Sequence, residues 1–320
     1  SQAFQRRWYF VLRHGRVGHR QAITKLALMK NYIVVTGGAG FVGSNLIRIL
    51  LKKTKKKIIS LDDYSSGSSR NHIKNNRVIY INGNTIYIKK KLRKFEKNIN
   101  SLFHFGEFSR IYQSFKKFDK CLESNTHGSN QVFKFCLQNK IKLIYSATSA
   151  SFGKNNENKN LSPYAFSKSK NLEFLENLKK WFNFKFEVIY FYNVYGPGQI
   201  QKGNMATVIG IFEEQYINKK PITVVKPGNQ TRRFTHIDDT INVCYQAWKN
   251  NKCAHYSISN LKAYSILQVA KMFKSKIKMV PFRKGERYAS ELTKFSLNNR
   301  IIRKFGKIDL KDYITSFIKG

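Results

Sequence analysis

The chain opens its ordered pattern with an apolar run that does not alternate, Ile33-Val34-Val35, as expected of a strand covered on both faces. Thr36 follows, and then a short stretch rich in small residues, Gly37-Gly38-Ala39-Gly40-Phe41-Val42-Gly43. Residues 44–51 read as a helix, and Lys57-Ile58-Ile59-Ser60-Leu61 as a second apolar strand. Further along, Leu143-Ile144-Tyr145-Ser146-Ala147-Thr148-Ser149 is an apolar strand that ends in hydroxyl residues. Ser162-Pro163 then opens another helix. Beyond residue 196 short strands and helices mix, as in Ile222-Thr223-Val224-Val225 and residues 266–273. Strands alternating with helices predict an α/β fold.

The glycine spacing adds chemistry to this pattern. Gly37 lets the chain turn sharply off the strand, Gly40 removes a side chain that would block a pyrophosphate, and Gly43 lets helix and strand pack closely. Phe41 and Val42 complete the loop between them. The helix that follows offers unpaired backbone N–H groups and the positive end of its dipole. Asp62 ends the second strand about 20 residues past the glycines, where a carboxylate accepts hydrogen bonds from ribose hydroxyls. Such a carboxylate favours NAD over NADP, whose extra phosphate it would repel. These features predict a Rossmann-type doubly wound parallel sheet with a smaller C-terminal substrate lobe.

Tyr164 and Lys168 stand four residues apart, one turn from each other on one helical face. A lysine ammonium stabilises a phenolate, which turns the tyrosine into a general base. Taken alone, such a pair in so lysine-rich a chain is ordinary helix surface; the glycine loop upstream and the hydroxyl strand just before it set this one apart. Thr148 or a neighbour can hydrogen-bond the same substrate oxygen.

Glycine loop, hydroxyl strand and tyrosine–lysine pair, in this order and spacing, resemble the extended short-chain dehydrogenases, and among them the nucleotide-sugar epimerases of the UDP-glucose 4-epimerase type. The resemblance runs from about residue 30 to the C-terminus, which implies a basic extension at 1–29, an NAD-binding domain at 30–195 and a substrate lobe at 196–320. It takes in Phe191-Tyr192-Asn193-Val194-Tyr195-Gly196-Pro197, the segment Arg232-Arg233-Phe234-Thr235-His236-Ile237-Asp238-Asp239, and Arg283-Lys284-Gly285-Glu286. It implies that Arg232 and Arg283 hold the diphosphate of a sugar nucleotide and that Asn193 contacts the substrate. The implied chemistry is hydride transfer at the sugar C4, with Tyr164 taking the hydroxyl proton and Thr148 orienting that oxygen. Relatives that eliminate water or decarboxylate carry acids at the strand end, whereas this chain has Thr148-Ser149-Ala150, which leaves epimerisation or simple oxidoreduction. The chain departs from the family pattern at Gly198, where arginine is common, at Arg233 and Asn84, where aspartate is usual, and at Gly106-Glu107, where the family has a small pair. His104 reads as a strand-end packing residue and His236 as a structural one; neither belongs to a spaced metal cluster, so no metal is expected.

Charge is a separate signal. With 59 Lys and Arg against 18 Asp and Glu, the formal net charge is +41, which invites polyanions. Lys, Asn, Ile, Phe and Tyr are all abundant, as in an AT-rich coding sequence, and that accounts for many lysines without accounting for the missing acids. Clusters such as Lys52-Lys53-Thr54-Lys55-Lys56-Lys57, Lys89-Lys90-Lys91-Leu92-Arg93-Lys94 and Arg300-Ile301-Ile302-Arg303-Lys304 look like phosphate-contacting surface. Residues 1–29 carry Arg6, Arg7, Arg13, Arg16 and Arg20, and no acid precedes Asp62, which resembles a mitochondrial targeting segment or a binding tail. Cys121, Cys136, Cys244 and Cys253 form no Cys-x-x-Cys pair, in keeping with reduced thiols in a mitochondrial matrix or a cytoplasm. No apolar stretch is long enough to span a membrane. Two classes of function therefore stand: a nucleotide-sugar epimerase using NAD, a homodimer if free, and an epimerase-fold subunit of a large assembly such as a mitochondrial ribosome, touching rRNA or neighbouring subunits, with NAD structural or absent.

Overall fold

A computed structural model describes residues 30–149, 160–282 and 301–320. The amino-terminal half builds strands β1 (Tyr32–Thr36), β2 (Lys57–Asp62), β3 (Val78–Asn82), β4 (Ile99–His104), β5 (Lys142–Thr148) and β6 (Phe186–Phe191). Three short pairs follow: β7 (Val194–Tyr195) with β10 (Thr235–His236), β8 (Ile222–Val225) with β13 (Ile277–Val280), and β9 (Thr231–Arg233) with β12 (Ala263–Ser265). β11 (His255–Ser259) and β14 (Ile301–Phe305) return to the main sheet, whose eight strands run in the order β3-β2-β1-β4-β5-β6-β11-β14. Every neighbouring pair in that sheet is parallel. The order reverses between β1 and β4, which opens a crevice at the carboxyl ends of these strands.

Both faces of the sheet are covered, which is why its strands lack polar alternation. Ile33 and Val35 pack with Leu46, Ile47 and Leu50 of helix α1 (Phe41–Lys53) on one side. Val34 points to the other side, into the cluster that holds Phe133 of α2 (Ser129–Gln138) and Leu175 of α3 (Pro163–Phe182). A separate apolar cluster forms the lobe, joining Phe212 of α4 (Val208–Ile217) to residues of β8, of α6 (Ile266–Met272) and of α7 (Leu310–Lys319). Helix α5 (Ile237–Asn250) belongs to the sheet instead, with Ile241 and Cys244 packed beside Tyr256 and Ile258 of β11. The chain after residue 196 thus serves both layers: it builds the lobe and also supplies α5, β11 and β14 to the sheet.

Candidate active site

Each predicted element places its chemistry at the mouth of the crevice. Gly37 leaves β1 with φ +70, a conformation that side chains rarely adopt, and a Cβ there would also meet the Gly106 backbone N at 2.8 Å. At Gly43 a Cβ would overlap the carbonyl oxygen of Gly37, so α1 starts hard against the glycine turn. The first turn of α1 holds no acid and no side chain caps it, which leaves its N–H groups turned toward the cavity. Asp62, at the end of β2, is buried and accepts from the backbone N–H of Ala39 at 2.9 Å and of Tyr64 at 2.8 Å. Burial pushes its carboxyl above the ordinary range even so. A cavity of about 510 Å³ is lined by Gly37, Gly40, Phe41, Val42, Gly43 and Asp62 at one end.

The other end holds Thr148, Tyr164, Lys168, Asn193 and Arg232. Ser162 caps α3 by accepting from Ala165 N at 3.1 Å, with Pro163 in the first turn, and this fixes the register that turns Tyr164 and Lys168 inward. Tyr164 is 8% exposed and Thr148, the last residue of β5, equally so. Asn193 has φ +28 and donates to Arg233 O at 2.9 Å, so its amide braces the loop between β6 and β7. Arg232 lies buried on β9 and donates to Thr231 O at 2.8 Å. Arg283 lies outside the described residues, as do residues 1–29.

Three departures from the family pattern find physical reasons. Gly198 has φ +84, which favours glycine over arginine. Arg233 donates to the carbonyls of Asn260 and Leu261, tying β9 to the loop before β12. Asn84 spends its Oδ1 on Ile86 N at 3.0 Å, holding the turn after β3 at the cavity wall. His236 Nδ1 accepts from Asp238 N at 3.2 Å at the start of α5, and His104 is buried at the end of β4; among the described residues no group of three or more His, Cys, Asp and Glu could hold a metal.

The residue that the motif reading missed is Glu107. Its Oε2 pairs with Lys168 Nζ, while Oε1 accepts from Ser129 Oγ at 2.7 Å, Tyr145 OH at 3.1 Å and Asn171 Nδ2 at 3.1 Å. Lys168 also donates to Ser146 O at 2.6 Å and lies over the Tyr145 ring at 4.7 Å. Behind this pair the hydrogen bonds have a single direction. Thr36 Oγ1 accepts from the N–H groups of Phe105 and Gly106, so its one proton goes to His104 Nδ1 at 2.8 Å. His104 Nε2 then donates to Ser129 Oγ at 3.0 Å, and Ser129 donates to Glu107. Burial pushes the His104 imidazole down to about 4, in keeping with this neutral tautomer. Arg110, on the same loop, spans the crevice by donating to Met205 O through Nε at 3.0 Å and Nη2 at 2.5 Å.

Sheet, switch point and glycine cradle together define a dinucleotide-binding α/β protein, and the open turn, the helix N-terminus without a side-chain cap and the Asp62 carboxylate at the cavity wall fit NAD. The chain belongs to the NAD dependent epimerase/dehydratase family, whose profile matches residues 33–261. It is 30% identical over 263 residues to ADP-L-glycero-D-manno-heptose-6-epimerase of Brachyspira hyodysenteriae, a match covering 76% of this chain and 80% of that protein. Its fold is similar to UDP-glucose 4-epimerase of Thermotoga maritima, solved with UDP-glucose, at TM-score 0.78 and 21% identity over 90% of this chain and 97% of that one. It is also similar to UDP-glucuronic acid 4-epimerase of Bacillus cereus, solved with UDP-glucuronic acid and NAD, at TM-score 0.78 and 23% identity over 90% and 99% of the two chains.

Proposed function

We propose that this chain is a nucleotide-sugar 4-epimerase of the UDP-hexose type, acting by transient oxidation at C4. The observation that carries the reading is the juxtaposition of Tyr164 and Lys168 with the end of β5, in one cavity with the glycine cradle. NAD, which the glycine turn at residues 37–43 and Asp62 would hold, would supply the acceptor and donor for the C4 hydride. Tyr164 takes the C4 hydroxyl proton and gives it back, Lys168 stabilises the charge that Tyr164 acquires, and the Thr148 hydroxyl orients the same oxygen. Arg232, and Arg283 by the family pattern, bind the diphosphate, which suits a forked guanidinium. Asn193 contacts the sugar. No acid follows Thr148 on the strand, and the carboxylate at the Tyr164 end of the cavity, Glu107, is committed to Lys168 and three further donors, so proton abstraction from carbon has no free carboxylate base beside Tyr164. The solved 4-epimerases similar to this chain support the reading.

The test is a panel of UDP-glucose, UDP-galactose, UDP-N-acetylglucosamine and UDP-glucuronic acid, with ADP-heptose added because of the heptose epimerase relative. Tyr164→Phe is expected to abolish epimerisation and leave NAD bound, since only the proton acceptor is lost. Undiminished turnover in that variant would remove Tyr164 from the mechanism.

A second reading, docking on a polyanion such as ribosomal RNA, is favoured by where the topology gathers charge. In a parallel sheet the strand starts and helix ends share the edge opposite the cavity, and there the exposed Lys52, Lys53, Lys57, Lys140, Lys180 and Lys185 collect. Glu187, in the same layer, is buried against Lys142 and offsets none of that outer charge.

A further inference from the structure

The chemistry above does not use the Glu107–Lys168 ion pair, yet the pair alters the charge that Tyr164 meets. Lys168 is 4% exposed and Glu107 2% at their side chains. A buried pair persists only where the remaining lone pairs and protons are satisfied, and here each is: three donors on Glu107 Oε1, and Ser146 O on the ammonium. The ammonium next to Tyr164 is therefore already matched by a fixed anion. Among the described residues Arg110 is not matched in this way, because its guanidinium donates to the carbonyls of Met205 and Ser109, which carry no formal charge.

We propose that Glu107 is a positioning residue for Tyr164 and Lys168: it clamps the ammonium against β5 and offsets the charge that Lys168 presents to Tyr164, so that Arg110 adds cationic support to the Tyr164 phenolate. The proposal rests on the reading of Tyr164 as the proton acceptor. Among the described residues, the titratable and charged groups around Tyr164 are Lys168 on its own helix, Glu107 and Arg110 from the loop after β4, Tyr145 from β5, Arg232 from β9 at the same end of the cavity, and Cys121, which shares an apolar cluster with the tyrosine. Tyr145 stays a neutral phenol, because burial raises it well above the ordinary tyrosine range and Glu107 adds to that. Cys121 stays a thiol, pushed up to about 11 by burial. Lys168, Glu107, Arg110 and Arg232 thus carry the fixed charges of this set. Glu107→Gln keeps an oxygen for the three donors, removes the negative charge, and frees the ammonium to act on Tyr164 undiminished.

The experiment needs no substrate. Tyrosinate absorbance is titrated in the full chain, and the curve of Tyr164→Phe is subtracted to leave the ionisation of Tyr164 alone. In the Glu107→Gln background the same difference curve is expected to move to lower pH by about one unit, the order expected for removal of one nearby charge. Lys168→Met alone moves it to higher pH, and the charge-neutral pair Glu107→Gln with Lys168→Met returns it to within about half a unit of the wild type, because the two charges it removes cancel. Arg110→Gln moves it to higher pH. An unmoved curve in Glu107→Gln overturns the proposal. So does a double variant that stays where Lys168→Met alone leaves it, a comparison that holds even if Glu107→Gln fails to fold. A wild-type chain that turns over no sugar nucleotide would overturn the epimerase reading and leave this titration untouched.

Discussion

Replacing His104 tests whether the hydrogen-bond chain behind the dyad is wired as described. His104 is fully buried, and its imidazole is pushed down to about 4 from an ordinary 6.5, mainly by burial, with Lys168 adding to the effect and Glu107 opposing it. The unfolded histidine binds a proton below about 6.5 and the folded one only below about 4, so between these values the unfolded state holds more protons. Stability from this group is therefore complete above pH 6.5 and is lost progressively as pH falls toward 4. A shift of that size corresponds to about 3 kcal/mol, at about 1.4 kcal/mol per unit. Gln is the matching replacement, since its amide oxygen can accept from Thr36 and its amide nitrogen can donate to Ser129, with no proton to gain. Urea unfolding of the wild type and of His104→Gln, measured at intervals from pH 7.5 down to 4, gives the difference in free energy at each pH. Carboxylates titrate in both proteins and cancel in that difference. The wild type is expected to lose about 3 kcal/mol relative to the variant across the window. A difference that stays flat with pH would refute the buried neutral imidazole and with it the direction of the chain into Glu107.

Two further predictions concern the cradle and the charged edge. Gly43→Ala places a methyl group into the Gly37 carbonyl and must displace either the turn or α1, so NAD affinity measured by calorimetry is expected to fall at least about tenfold while the far-UV spectrum is kept; unchanged affinity would dissociate the glycine turn from the cofactor. Changing Lys52, Lys53 and Lys57 to Gln is expected to lower the slope of log affinity for RNA against log salt by about 0.7 for each phosphate that a lysine no longer neutralises, and a slope equal to the wild type's would end the polyanion reading.

Much of the site was legible because its parts are local. The turn at residues 37–43, the carboxylate ending β2, the hydroxyl end of β5 and the one-turn spacing of Tyr164 and Lys168 each need only a few contiguous residues, and the structure brings all of them to one cavity. Glu107 is different in kind. It reaches Lys168 across 61 positions of chain, and in the motif it stood only as a departure from a small pair; an acid in so acid-poor a chain, directly after a glycine that faces Gly37, was the available signal. The Gly106 that precedes it is small for a reason visible only in three dimensions, the 2.8 Å approach of a Cβ there to the Gly37 N. Nor did β11 and β14 stand out, because His255-Tyr256-Ser257-Ile258-Ser259 interleaves polar and apolar residues although every one of them is buried, with His255 bonded to Tyr190 and Glu176 and Ser257 to Tyr192.

The most direct single measurement follows one atom. The full chain is incubated with NAD and with a UDP-hexose deuterated at C4, and the products are resolved by NMR. Transient oxidation at C4 predicts the 4-epimer with deuterium still on C4, because the hydride leaves and returns without meeting solvent. Deuterium lost to water, or no epimer from any sugar nucleotide in the panel, would contradict it.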